Sequence, residues 1–307
     1  MRVAQAWRLR ALGLALALWA GALTGHAGSA SLRVCDRASP LTAQQQDRLL
    51  QFAAVVRREL EGSGQAVALV SRSGLDLQRF GIRYSHAGIS LKASDNTPWS
   101  VRQLYFACDE GRPRLYDQGL AGFLFGTEDP DIGYVSIVLL PHTEAAALEH
   151  AALDKARALR LLAGRYSANA YPFSLRYQNC NQWVVELLAS AWGGLMDGND
   201  LRARSQAWLV NRGYVPQPVQ VGSHALMFAA PFIPWLHLDD HPEADRFALQ
   251  FRISLPVSIE AFMREQVPGA ERIELCHNQR QVVVRRGWEP VADGCRPGAG
   301  DRVFALE

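Results

Sequence analysis

Cys180 lies in Tyr177-Gln178-Asn179-Cys180-Asn181-Gln182-Trp183, a polar step that runs directly into Val184-Val185-Glu186-Leu187-Leu188. Apolar residues recur from there at helical spacing, which places the cysteine in the first turn of an amphipathic helix over Cys180–Ala191, ended by Gly193-Gly194. Asn179 is suited to cap it. First-turn backbone N–H groups lack intrahelical acceptors and carry positive potential. They favour a thiolate and can hold the oxyanion formed when sulfur attacks a carbonyl. The chemistry this placement serves is nucleophilic attack through Cys180, with Asn179 and Asn181 beside the reacting atoms. The competing reading is a buried, unreactive cysteine at a helix start.

A thiol nucleophile needs a base. Among eight histidines, His86 is distinct: it sits between small residues in Tyr84-Ser85-His86-Ala87-Gly88-Ile89, a strand-like segment. A sheet can hold such a histidine facing a helix N-terminus packed on it. On the next strand, Trp99, Val101, Gln103 and Tyr105 share one face by alternation, so Gln103 is placed to orient the imidazole. Tyr84, two residues before His86, is read on the same face and able to supply a hydroxyl to an oxyanion.

Other chemical signals are weaker. Asp239-Asp240-His241-Pro242-Glu243 with His237 reads as a solvated loop, because no second cluster at ligand spacing accompanies it. No metal and no cofactor is expected. Glu186, six residues past the cysteine, reads as a surface or ion-pairing residue. Trp183 reads as core. There is no Gly-rich phosphate loop and no Gly-x-Ser-x-Gly nucleophile turn.

The elements that must position these residues follow from periodicity. Thr42–Gly62 reads as a helix capped by Thr42, and Glu144–Leu162 as a second, with shorter ones over Leu201–Arg212 and Ile259–Gln266. Ala66–Arg72, Tyr84–Lys92, Trp99–Ala107, Tyr134–Leu140, Phe247–Leu255 and Glu271–Gly287 carry strand character. Val215–Pro234 and Pro290–Gly300 read as loops. Helix and strand mix without regular βαβ alternation, so the expected class is α+β.

At the N-terminus, Arg2, Arg8 and Arg10 precede the uncharged run Ala11–Leu23, and small residues follow (Gly25, Ala27, Gly28, Ala30). That is the pattern of a cleaved secretory signal over residues 1–30. Thirteen or so apolar residues are short for a bilayer span, which needs about 20. A periplasmic or secreted protein without a transmembrane segment is expected after cleavage. Net charge +2, with basic residues scattered, gives no reason to propose nucleic acid. Of the five cysteines, an odd count in an oxidising compartment leaves at least one unpaired. Cys276 with Cys295, 19 residues apart across a hairpin-like segment, and Cys35 with Cys108 are the disulfide candidates, which leaves Cys180 free. Pairing of Cys180 with Cys108 or Cys35 is the alternative that removes the nucleophile.

Ser-His-Ala-Gly-Ile in a strand, followed downstream by Asn-Cys-Asn at a helix start, resembles the circularly permuted branch of the NlpC/P60 papain-like thiol hydrolases. That branch includes the lecithin–retinol acyltransferase-like and YiiX-like proteins, in which the histidine precedes the cysteine, as here. With the secretion signal and Gln118-Gly119-Leu120, the pattern is also similar to DUF2145, an uncharacterised proteobacterial family. The resemblance covers roughly residues 60–195. It implies a permuted papain-like core over 31–200, its antiparallel sheet packed on the Cys-bearing helix, and a strand-rich C-terminal extension over 201–307 packed on the same domain. It further implies Cys180 as nucleophile, His86 as base and Gln103 as orienting residue, where the permuted enzymes carry a histidine or an acid. Glutamine holds a tautomer but adds no charge to stabilise an imidazolium. The expected substrate is a cell-envelope peptide, glycopeptide or lipid-derived acyl compound. The alternative is a non-catalytic envelope protein that keeps the fold and its groove for binding.

Overall fold

The computed structural model describes residues 41–306 apart from Asp76. The expected signal segment and Cys35 lie outside the described residues. Eight strands form one antiparallel sheet: β1 (Val67–Arg72), β2 (His86–Leu91), β3 (Ser100–Ala107), β4 (Arg112–Gln118), β5 (Gly133–Leu139), β8 (Glu271–His277), β9 (Gln281–Arg286) and β10 (Arg302–Ala305). Their spatial order is β10-β9-β8-β5-β1-β2-β3-β4. β6 (Gln217–Gln220) and β7 (Gln250–Ile253) make a separate antiparallel pair. The class is α+β, and three strands of the large sheet come from the last 40 residues or so of the chain.

Helices cover both faces of the sheet. On one side, α1 (Ala43–Gly62) and α2 (Leu120–Phe125) close a core of Phe52, Val56, Leu60, Val70, Val101, Phe123 and Ile137. On the other, α3 (His142–Leu153), α4 (Lys155–Arg160), α5 (Cys180–Trp192), α6 (Leu201–Asn211) and α9 (Pro256–Gln266) pack over Leu69, Ala87, Ile89, Leu104 and Val138. Two short helices, α7 (His224–Ala229) and α8 (Glu243–Ala248), lie in the stretch between α6 and α9. Because both faces are covered, β1, β2 and β5 are buried along their whole lengths. Alternation of polar and apolar residues therefore does not mark an exposed face in these strands.

The local signals act as their chemistry dictates. Thr42 caps α1 in a capping box: its Oγ1 accepts from the Gln45 backbone N–H at 3.2 Å, and Gln45 Oε1 accepts from the Thr42 N–H at 3.0 Å. The segment Glu144–Leu162, read as one helix, is two. Asp154 leaves the helical region (ψ 97°) and its carboxylate accepts from the Arg157 N–H at 3.1 Å, so it starts α4 instead of continuing α3. β4 went unread because it is an edge strand with Arg112, Pro113 and Arg114 in its first half. The stretch Val215–Pro234, read as loop, contains β6 and α7. Cys276 and Cys295 form a disulfide. Among the described residues no helix is long and apolar enough to cross a membrane.

α5 is fixed from within by Glu186: of the two expectations for it, surface exposure is corrected, since it is fully buried, and ion pairing holds, with Arg202. Its carboxylate accepts from Arg202 Nε at 2.9 Å and Nη2 at 3.1 Å, and from the side-chain amides of Gln178 (2.6 Å), Gln182 (3.2 Å) and Gln206 (2.8 Å). A fully enclosed carboxylate must find such partners or become neutral. Arg202→Met leaves this charge without its cation, and a loss of about 3–5 kcal/mol in unfolding free energy is expected from urea denaturation. A loss below about 1 kcal/mol would mean that the three amides suffice.

Candidate functional site

Cys180 is the first residue of α5, and Asn179 caps the helix, its Oδ1 accepting from the Gln182 N–H at 2.7 Å. The thiol is free and buried. Two opposed effects act on it. Hydrogen bonds from the backbone N–H groups of Asn181 and of Cys180 itself, and the Arg72 charge, favour the thiolate; burial outweighs them and pushes the thiol up to about 12. The thiolate expected from the helix N-terminus is therefore not the resting form.

His86 opens β2. Its Nε2 lies 2.7 Å from Gln103 Oε1, and the Gln103 amide N–H donates in turn to Gln118 Oε1 at 2.6 Å. The imidazole stacks on Tyr105 with ring centroids 4.9 Å apart and lies tilted against Phe123 at 5.8 Å. Burial, with the nearby Arg72 charge, pushes it down to about 3, against the opposing effect of the hydrogen bond to Gln103 Oε1. Gly88 allows β2 to approach β3, since a Cβ there would collide with Val101 and stand 2.9 Å from the Arg102 carbonyl oxygen.

Arg72 is the cross-strand partner of His86 and is 5% exposed. It donates from Nη2 to the Tyr105 hydroxyl at 2.9 Å and from Nη1 to the Gly126 and Ser73 carbonyls, while its Nε has no partner. No carboxylate forms an ion pair with it among the described residues. A Cβ at Gly126 would meet the guanidinium, so that glycine is required for its approach. Sequence reasoning passed over Arg72, because its role depends on the register of β1 against β2.

The structure brings His86 and Gln103 together, and ties the start of α5 to the start of β2: Asn181 Nδ2 donates to the Ser85 carbonyl at 3.1 Å. The buried Asn181 Oδ1 has no partner. The thiol and the imidazole themselves are not joined by a hydrogen bond. Cys180 belongs to the core that holds Ala87, Ile89 and Leu104, whereas the His86 ring lies against Phe123 of the opposite core. Tyr84 is not part of this cluster. Its hydroxyl donates to Glu274 and accepts from Arg272 Nη2 at 3.3 Å, inside a buried group with Arg83 and Glu260. It precedes β2, so strand alternation does not carry it onto the face of His86.

The family described as an uncharacterized protein conserved in bacteria, DUF2145, matches residues 59–263. The chain belongs to the DUF2145 family. No curated protein and no solved structure matches it. The match spans β1 to α9 and so takes in His86, Gln103, Gln118 and Cys180.

One further sequence reading of this DUF2145 protein changes, and the expectation of a disulfide at Cys108 holds. The Asp239–Glu243 loop is not simply solvated. His241 is buried with its Nε2 2.6 Å from the Asn169 carbonyl, Asp240 accepts from the Tyr171 N–H at 2.9 Å, and His237 stacks on Tyr177 at 4.3 Å. These contacts brace the segment that leads into Cys180. Cys108 is disulfide-bonded, with its partner outside the described residues.

Acid stability follows from the imidazoles. The fold favours neutral His86, so its contribution is complete above about pH 6.5 and is lost as pH falls from there toward about 3. For one such group the loss runs at about 1.4 kcal/mol per pH unit. His277, pushed by burial down to about 4, acts over the upper part of the same window. His86→Gln is expected to flatten the decline of urea-unfolding free energy in this range. Identical slopes for both proteins would show that folded His86 protonates freely.

Proposed function

We propose that this DUF2145 protein is an exported thiol hydrolase or acyl-transfer enzyme with a permuted NlpC/P60 papain-like core, acting on an amide, ester or thioester of a cell-envelope peptide, glycopeptide or lipid-derived compound. One observation carries the reading: the free Cys180 opens α5, and that helix start is tied through Asn181 to the carbonyl of Ser85, the residue before His86. Since neither group is charged at rest and no hydrogen bond joins them, attack by sulfur requires the His86 ring to come within reach of the thiol, directly or through one water, and take its proton. The S–C bond forms, the carbonyl π pair moves to oxygen, and the first-turn N–H groups of α5 receive that oxyanion. Collapse expels the leaving group, which takes the proton from the imidazolium. Water or an acceptor then cleaves the thioester, His86 again taking the proton.

A second reading is a non-catalytic envelope binding protein. The absence of a thiol–imidazole hydrogen bond favours it, together with a thiol at about 12 and an imidazole at about 3.

Incubation with a p-nitrophenyl ester separates the two. For the enzyme, intact-protein mass spectrometry should show one acyl group on Cys180, absent in Cys180→Ala and slowed by about 10²–10⁴-fold in His86→Ala, the usual contribution of a general base. Absence of acylation, or equal rates with and without His86, would sink the catalytic reading and leave the binding one.

A further inference from the structure

We propose that Gln118 is a positioning residue for His86: acting through Gln103, its side-chain carbonyl decides which imidazole nitrogen carries the proton. The functional meaning rests on the reading of His86 as the base for Cys180; the tautomer itself does not.

Three side chains on adjacent strands form one directed chain. Gln103 is fully buried and presents Oε1 to His86 at 2.7 Å. An amide oxygen only accepts, so the ring nitrogen facing it, Nε2, must hold the hydrogen. Nδ1 then carries the lone pair and is the only nitrogen at which this tautomer takes up a proton. Were the Gln103 amide turned over, its N–H groups would face the ring and require the opposite tautomer. What opposes that turn is at the far end, where Gln118 Oε1 accepts from Gln103 Nε2 at 2.6 Å.

The Gln118 side chain lies against α2, its Nε2 3.1 Å from where a Cβ on Gly122 would stand, and its Oε1 is the end of the amide that meets Gln103. A larger residue at 122 would press on this amide. The other groups against the ring fix its plane without choosing a nitrogen. Tyr105 of β3 stacks on it and Phe123 of α2 lies tilted to it. Arg72 of β1 opposes its protonation by charge. Among the hydrogen bonds of the described residues, those of the two glutamines bear on the tautomer.

Gln118 is half-buried at the end of an edge strand, so polar and apolar replacements both fit sterically. The test is ¹⁵N NMR of the histidine-labelled protein, with the His86 signals assigned by their loss in His86→Gln. The wild-type ring should carry its proton on Nε2. Gln118→Glu, which can only accept at neutral pH, should keep that tautomer and raise the imidazole pKa, because it adds a negative charge to the chain. Gln118→Leu should release Gln103 and give a mixture of tautomers. A wild-type ring protonated on Nδ1 would overturn the proposal, as would Nε2–H retained in Gln118→Leu with the pKa unmoved in Gln118→Glu. Because the wild-type and Glu arms stand without the Leu variant, poor folding of the latter leaves the proposal decidable. Cys180 acylation supplies a separate readout: it should slow toward the His86→Ala rate in Gln118→Leu and recover in Gln118→Glu. If the wild type is not acylated at all, the proposed function fails while the tautomer result stands or falls independently.

Discussion

Covering one antiparallel sheet with helices on both faces is the constraint from which the rest of the structure follows. An uncovered face would let polar side chains on β2 and β3 be satisfied by water. Here His86, Gln103 and Arg72 are each under a tenth exposed, so every donor and acceptor they carry must find a partner in the protein or stay unpaired at a cost of about 1–3 kcal/mol. The chain from His86 through Gln103 to Gln118, and the three-way hydrogen bonding of Arg72, are what that requirement produces.

The same burial sets the electrostatics of the thiol. A helix N-terminus stabilises negative charge by about 0.3–1 kcal/mol in ordinary settings, less than one pKa unit. Complete desolvation shifts a group by up to several units. At Cys180 both act, and desolvation wins. It acts in the opposite sense on His86, since the charged form of an imidazole is the protonated one. Thiol and imidazole thus both rest uncharged, unlike a preformed thiolate–imidazolium pair, and the proposed attack would have to couple proton transfer to carbon–sulfur bond formation.

Polar residues elsewhere serve to hold the segments around Cys180 in place. Glu186 draws Gln178, Gln182, Arg202 and Gln206 together behind α5. The loop Trp235–His241 grips Ser167–Tyr177 through backbone and side-chain hydrogen bonds. The sequence reads the loop as solvated and Glu186 as surface or ion-pairing, because charged and polar residues are mostly exposed and one-dimensional spacing does not reveal a partner 16 or 70 residues away.

What the sequence by itself determined is local. Thr42 and Asn179 as caps, the glycine pair after α5, the alternation of β3 and the hairpin bridged by Cys276 and Cys295 each depend on contacts within a few residues or on a covalent geometry that spacing already allows. The class α+β and the pairing of His86 with Gln103 follow from consecutive strands. Tertiary structure decided the rest. It broke the Glu144–Leu162 helix at Asp154, turned Tyr84 to Glu274, set Arg72 opposite His86, and added Gln118 from an edge strand that no hydrophobic pattern marked. Those outcomes depend on strand register, on which faces are covered, and on the balance between desolvation and pairing, all of which exist only once distant segments have packed.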